Sequence, residues 1–409
     1  GIWVLTETGD TTAFTILLFF AVLPVGLGSL FAGPLVDRWD RRWVLIMANL
    51  TASLSTLVVA VLFYIDALEI WHLYIALTIN GVANAFILPA LEASIPLLVV
   101  KEQLGRAAGL SQMIQALEVI LGPALAGLLI GSWGLGAIFL TDFVTFGASI
   151  LALLLSVVPR PTRELEQGNH KSLWQEFAFG INYIRERPAF LYLMGFVTIT
   201  MFIMPGIGYA LITPLMLSFT GEEAAGFVLS GFGFGALIAG ALLAAWGGPE
   251  RRMDGILGAM VLAGIGAFLA GLRESSWLIA AGMLMIGIAF VFMIGLNRVI
   301  WQVKAAPEIL GRIFAIRVAL GVGAQSLGIL IAGPLAEQIF EPLMVEDGPL
   351  SATVGQFIGT GPGRGMALMY ILLGVLLIAL VIVSLLIRQV RRLEDDIPDY
   401  VAPTPILAS

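Results

Sequence analysis

The sequence predicts an all-α membrane protein, and three observations carry that expectation. The 409 residues are 59% apolar and 12% charged, whereas soluble globular chains run at roughly 45–50% apolar and 25% charged. Apolar runs of the ~20 residues needed to cross a bilayer recur along the whole length. Basic residues gather in every second loop between those runs, as the positive-inside rule requires of a multi-pass chain.

Eleven runs meet the length: 12–36, 43–65, 72–100, 104–131, 135–158, 189–218, 224–246, 253–272, 276–303, 308–340 and 366–388. Residues 1–8 read as the tail of a further helix. Most of a first span is therefore expected to be missing from this numbering, and 12–36 counts as the second of twelve. Pro159-Arg160-Pro161 stops the sixth span, because proline cannot donate to a helical turn. Beyond it, Lys171 to Arg187 sets Leu173, Trp174, Phe177, Ile181 and Ile184 on one side. That pattern suits an amphipathic helix in the membrane interface, or a solvated linker.

Of the 21 Lys and Arg, seventeen fall in alternate loops, from Arg38, Arg41 and Arg42 to Arg388, Arg391 and Arg392. The opposite loops hold Arg273 and Arg364 among acids such as Asp66, Glu69, Glu222, Glu274, Glu341 and Asp347. The basic set is expected in the cytoplasm, and both chain ends with it. The absence of cysteine excludes disulfides and thiolate chemistry. No His and carboxylate spacing suits a metal, no basic patch suits a nucleic acid, and no cofactor is expected. An intramembrane enzyme would need a nucleophile and base at membrane depth, yet the only histidines, His72 and His170, lie at helix edges. A scaffold would need a sizeable soluble part, and 159–187 and 389–409 are short.

The two halves echo each other. Leu104-Gly105-Arg106 and Leu310-Gly311-Arg312 lie 206 residues apart, Gly122-Pro123 and Gly333-Pro334 lie 211 apart, and Arg41-Arg42 and Arg251-Arg252 lie 210 apart. A near-constant offset predicts a duplicated six-helix unit, with substrate held between the copies. The expected organisation is a bundle over 1–158, a cytoplasmic linker over 159–187, a second bundle over 188–388 and a tail over 389–409.

Between the second and third spans stands Gly33-Pro34-Leu35-Val36-Asp37-Arg38-Trp39-Asp40-Arg41-Arg42. Its form, Gly-x-x-x-Asp-Arg-x-x-Arg-Arg, resembles the signature of the major facilitator superfamily. The resemblance implies twelve helices in two pseudo-symmetric six-helix bundles, and a latch formed by Gly33, Asp37, Arg38, Arg41 and Arg42 that closes the cytoplasmic side. Pro89-Ala90-Leu91, Ile95-Pro96-Leu97-Leu98-Val99, Glu102-Gln103-Leu104, Gly109-Leu110-Ser111-Gln112 and the run from Pro307 to Phe314 narrow it further. They resemble the macrolide-efflux branch of the drug:proton antiporters, over nearly the whole chain. That branch also includes siderophore exporters and a lysophospholipid transporter. The fifth span resembles the antiporter motif at Gly109, Gly122, Pro123 and Gly127, with Glu118 and Ala126 where the motif has glycine. By their small size, Gly122, Pro123, Gly231, Gly235 and Ala239 also read as close helix contacts.

Charges inside spans mark the candidate site, since a buried one costs at least ~2.5 kcal/mol unless paired or hydrated. At 1.5 Å per residue, Glu92 lies roughly 13 Å and Glu118 roughly 18 Å from the cytoplasmic side, and Asp142 roughly 12 Å from the outer side. Each has polar company at helical spacing: Asn84 before Glu92, Ser111 and Gln115 before Glu118, Thr145 and Ser149 after Asp142. A desolvated carboxyl holds a proton near neutral pH and releases it on hydration, which would tie proton uptake to transport. Buried structural ion pairs are the alternative for all three acids. Arg298 and Arg317 lie close enough to a basic loop to snorkel. Glu92 and Arg298 are 206 apart, the repeat offset, so they are expected to face each other as an interdomain gate together with Arg317. The run Gly359-Thr360-Gly361-Pro362-Gly363-Arg364-Gly365 follows no strand and lacks Gly-Lys-Ser/Thr, so it is no nucleotide loop. It reads as a flexible lead-in to the last helix, or as backbone amides and Arg364 holding a lipid phosphate.

The expected function is export of amphipathic, macrolide-like compounds by alternating access in exchange for protons. A lysophospholipid or siderophore transporter of the same build is the alternative. The expected partners are a small-molecule substrate, protons and membrane lipid, around a monomer in the cell membrane.

Overall fold

A computed structural model describes residues 2–98, 104–155, 181–305, 307–391 and 393–396. A short helix α1 (Ile2–Thr8) precedes α2 (Thr11–Arg38), α3 (Arg41–Tyr64), α4 (Ile70–Leu98), α5 (Leu104–Trp133) and α6 (Leu135–Leu155). Next come α7 (Pro188–Leu217), α8 (Glu222–Trp246), α9 (Arg252–Leu272), α10 (Ser276–Lys304), α11 (Pro307–Leu335) and α12 (Arg364–Leu386). Ten helices among the described residues are long and apolar enough to span a membrane. The span expected over 104–131 is helix α5. Most of the segment 159–187, with its amphipathic reading, lies outside the described residues.

Local chemistry sets the helix ends. Asp10 caps α2 by accepting from the Ala13 N–H at 2.8 Å, and Asp40 caps α3 by accepting from the Arg42 N–H at 3.1 Å. Such side-chain acceptors satisfy N–H groups that a helix start leaves orphaned. Helix α8 stops at Gly247, whose φ of 80° is the left-handed conformation glycine tolerates.

Two helices depart from the expected regularity. Helix α7 is α-helical over Pro188–Met201 and Tyr209–Leu217 but π-helical over Phe202–Gly208, around Pro205. Helix α11 passes into a π turn at Ala336–Phe340, two residues after Pro334. Proline removes a helical donor and crowds the preceding turn, and an extra residue in the turn absorbs the misfit.

The helices pack as two groups. In the first, α4 packs against α2 and α3, and α6 against α3; in the second, α10 packs against α8 and α9, and α12 against α9. Helices α2 with α11, and α5 with α8, join the groups. Within the second group, backbones touch. A Cβ on Gly287 of α10 would stand 2.1 Å from the Phe232 carbonyl oxygen of α8, so only glycine permits that crossing. Gly231 and Gly235 make the same kind of approach to α10, while a Cβ on Gly122 would meet nothing within 4 Å. The reading of Gly122 as a packing glycine is thereby corrected. The second group also holds the larger core, including Phe190 stacked on Trp301 at 4.4 Å. The first has three small buried clusters.

After α12 the chain folds back. Leu393–Asp396 forms one helical turn in which Leu393 is buried. Glu394 accepts from the Met253 N–H at 3.0 Å and lies 3.5 Å from Arg252, and its carbonyl accepts from Lys304 at 2.6 Å. The tail thus caps α9, whose N-cap residue, Arg251, makes no side-chain cap of its own.

Candidate functional site

A cavity of 470 Å³ lies between α5 and the second group of helices. Glu118 and Pro123 of α5 form one wall, and Met204, Pro205, Gly208, Tyr209, Ile212 and Thr213 of α7 another. Leu229 and Phe232 of α8, Met283, Ile286 and Phe290 of α10, Gln325 of α11 and Tyr370 of α12 complete it. Among the described residues Glu118 is the one charged side chain in this lining; Thr213, Gln325, Tyr209 and Tyr370 supply the neutral polar groups.

The π-helical part of α7 shapes that wall. It contributes Met204, Pro205 and Gly208, and the buried Tyr370 donates its hydroxyl to the Gly208 carbonyl. Helix α11 presses on the same segment: a Cβ on Gly328 would sit 2.4 Å from the Phe202 carbonyl oxygen. The cavity floor is therefore irregular backbone held from two sides, the situation in which π turns accompany functional sites.

The other expected site residues are dispersed. Asp142 is half-buried on α6 and does not line the cavity, while Thr145 and Ser149 bond to carbonyls of α6 and to Asn49 of α3. Asn84 is exposed and bonds back to the Asn80 carbonyl at 3.1 Å. Helix α4 includes Glu92 and α5 includes Ser111 and Gln115, but their side chains lie outside the described residues. Arg317 sits over the rings of Trp301 at 5.4 Å and Phe314 at 5.1 Å, and Arg298 is exposed near enough to act on it electrostatically. Among the described residues neither arginine has a carboxylate partner.

The expected latch is described in part. The side chains of Asp37 and Arg38 lie outside the described residues. Arg42 donates to the Leu153 carbonyl at 3.0 Å and the Leu154 carbonyl at 2.7 Å, binding the start of α3 to the end of α6, where a cation meets the negative helix terminus. In the antiporter-like motif, the Pro123 carbonyl and Gly127 meet Gly226 of α8 at backbone distance, which holds α5 to the second group.

Arg364 corrects one expectation. It is 1% exposed, donates to the Ile358 carbonyl at 2.6 Å and lies 3.4 Å from Glu274. Its guanidinium is turned inward and serves its own loop, so it holds no lipid phosphate. Glu341 caps the start of α12 by accepting from the Gly363 and Met366 N–H groups at 3.2 and 3.0 Å.

Sequence reasoning missed Glu337. It follows Pro334 by three residues, within the run 308–340, and its carboxylate accepts from the Thr11 N–H and, at 2.5 Å, from the Thr12 hydroxyl. Among the described residues, the hydrogen bonds between the two groups of helices are both made by Glu337. Its signal in the sequence is the charge itself, an acid inside the apolar run 308–340.

A family model for the Major Facilitator Superfamily matches residues 2–334. Macrolide efflux protein A of Streptococcus pyogenes is 28% identical over 407 residues, covering 96% of this chain and 92% of that protein. Its namesake in Enterococcus faecalis is 31% identical over 320 residues, 75% of this chain and 96% of that protein. Among solved structures, a bacterial homologue of the human lysosomal transporter Spinster, inward-facing and unoccupied, is similar at a TM-score of 0.66 and 14% identity, over 97% of this chain and 92% of that one.

Proposed function

This chain belongs to the major facilitator superfamily, and on that footing we propose that it exports amphipathic organic compounds by alternating access, in exchange for protons. The observation that carries the reading is Glu118, the one carboxylate in a lining whose other described residues are apolar, aromatic or neutral. A carboxylate in such a lining is a seat for a proton or for a cationic group of the cargo, and the two compete for it. The ring faces of Phe232, Phe290 and Tyr209 favour the same cationic cargo. One carboxylate cannot serve both occupants at once, and that exclusion is exchange. Relatives named for macrolide efflux support a bulky, amphipathic substrate of this kind.

The units 1–158 and 188–388 rock about this cavity, joined by 159–187. The end carrying Arg42 and Arg251 faces the cytoplasm, as its cations direct. The opposite end, with Thr11 seated on Glu337 and Gly226 pressed on α5, is then the closed outer side. Closure of the cytoplasmic side draws on the loop latch of Asp37, Arg38, Arg41 and Arg42 and on a gate between Glu92 and Arg298 with Arg317. Arg298 and Arg317, which have no carboxylate partner among the described residues, favour one second reading, in which the cargo has an anionic head as lysophospholipids and siderophores do.

Reconstituted vesicles with an imposed proton gradient test the proposal. Wild type accumulates a macrolide against its gradient; Glu118→Gln abolishes that accumulation and leaves binding within several-fold. Undiminished pumping by the double variant Glu92→Gln/Glu118→Gln defeats it.

A further inference from the structure

Glu337 takes no part in the exchange chemistry, yet it occupies the one point where hydrogen bonds cross between the two groups among the described residues. Helix α2 begins at Thr11, and a helix start carries unsatisfied N–H groups and a partial positive charge. Asp10 satisfies one of those groups from within its own chain segment. Glu337 satisfies another, on Thr11, from the far unit, and takes the Thr12 hydroxyl as well. Bonds of this charge-assisted kind are stronger than neutral ones.

The surroundings are built to bring the carboxylate there. One turn earlier on α11, a Cβ on Gly333 would stand 2.3 Å from the Thr15 hydroxyl oxygen, 2.6 Å from the Thr12 Cα and 2.9 Å from the Thr11 carbonyl oxygen. The helices therefore meet backbone to backbone immediately beside Glu337. The π turn Ala336–Phe340 begins one residue before it and sets its bearing. A turn relaxed to α-helix would swing the carboxylate around the axis by up to about 100°, the angle of one residue. When α2 and α11 part, both bonds break together, and the carboxylate contributes nothing to the opened state except its own hydration.

We propose that Glu337 is the latch of the gate at the Thr11 end. Closure there is completed when its carboxylate seats on the start of α2, and opening requires its release. Glu337 is a positioning residue, acting on the equilibrium between the two states and not on cargo or proton. The inference rests on the alternating-access reading but not on the identity of the cargo.

The test reads distance. The chain has no cysteine, so introduced cysteines are the only attachment points. Spin labels at Trp133→Cys and Trp277→Cys, on residues 74% and 82% exposed at this end of each unit, report its opening. Glu337→Ala is expected to raise the long-distance population at least fivefold. Glu337→Gln, which keeps one acceptor oxygen, should fall between it and wild type. Gly333→Ala pries the same helices apart and should move the distances the same way with the carboxylate intact. Where Glu337→Ala does not fold, Thr12→Val removes a single donor and gives a smaller shift in the same direction. Turnover should change in these variants while binding of cargo from the cytoplasmic side stays within twofold. Distance distributions superimposable on wild type in both Glu337→Ala and Gly333→Ala overturn the latch. Shifted distances in a protein that moves no macrolide would uphold it and count against the proposed cargo alone.

Discussion

Glu118 and Asp142 satisfy the same argument from depth and polar neighbours, and the fold separates them by bearing. Glu118 looks into the cavity, whereas Asp142 is half-buried on α6, away from it. Asp142→Asn should therefore keep gradient-driven efflux within twofold under conditions where Glu118→Gln loses it; an equal loss in both would place the coupling elsewhere. Depth was legible in the sequence because rise per residue is fixed. Bearing was not, because nearly every face of a span is apolar and periodicity gives no inward side. The same blindness hid Tyr370, an unremarkable aromatic in an apolar run until its hydroxyl is seen on the Gly208 carbonyl. Arg364 was misread for a related reason: loop position implied exposure, and its partners Ile358 and Glu274 lie six and ninety residues back along the chain.

Helix ends were legible to within two or three residues because the apolar runs stop where the charged loops begin; the caps at Asp10, Asp40 and Gly247 that fix them are seen only in the fold. The π segment of α7 was not, because Pro205 announces a disturbance without saying how the turn absorbs it. Small residues were likewise readable as a class and not one by one. Gly287 lies against a carbonyl oxygen of α8, and Gly122 lies against nothing among the described residues. Gly287→Ala should destabilise the protein by about 1–3 kcal/mol through overpacking, read as a lower midpoint of thermal unfolding in detergent. Gly122→Ala should leave that midpoint unchanged. Equal effects at the two positions would mean that α8 and α10 do not cross as closely as described.

The duplicated architecture was the most legible feature, because three landmarks repeat at nearly one offset and the family resemblance follows them. Its proposed functional corollary is a gate between Glu92 and Arg298, and Arg298 has no carboxylate partner among the described residues. Arg298 is exposed here, and the pair would be buried only once the cytoplasmic side closes, where removing one partner costs about 3–5 kcal/mol. Glu92→Arg and Arg298→Glu should therefore each abolish transport, and the combined swap should recover part of it; a swap no better than the worse single variant would remove the gate. Apolar runs and repeat offsets carry no sign that the two units differ in how they are finished. In the first, Asp40 caps α3 from the adjoining residue. In the second, the cap on Met253 comes from Glu394, 141 residues later. Ribosomes extend chains at about 5–20 residues per second, so α9 waits on the order of 10 s in the bilayer before its cap is made. Until Glu394 has been made, the nascent second unit depends on whatever else shields an unfinished helix end.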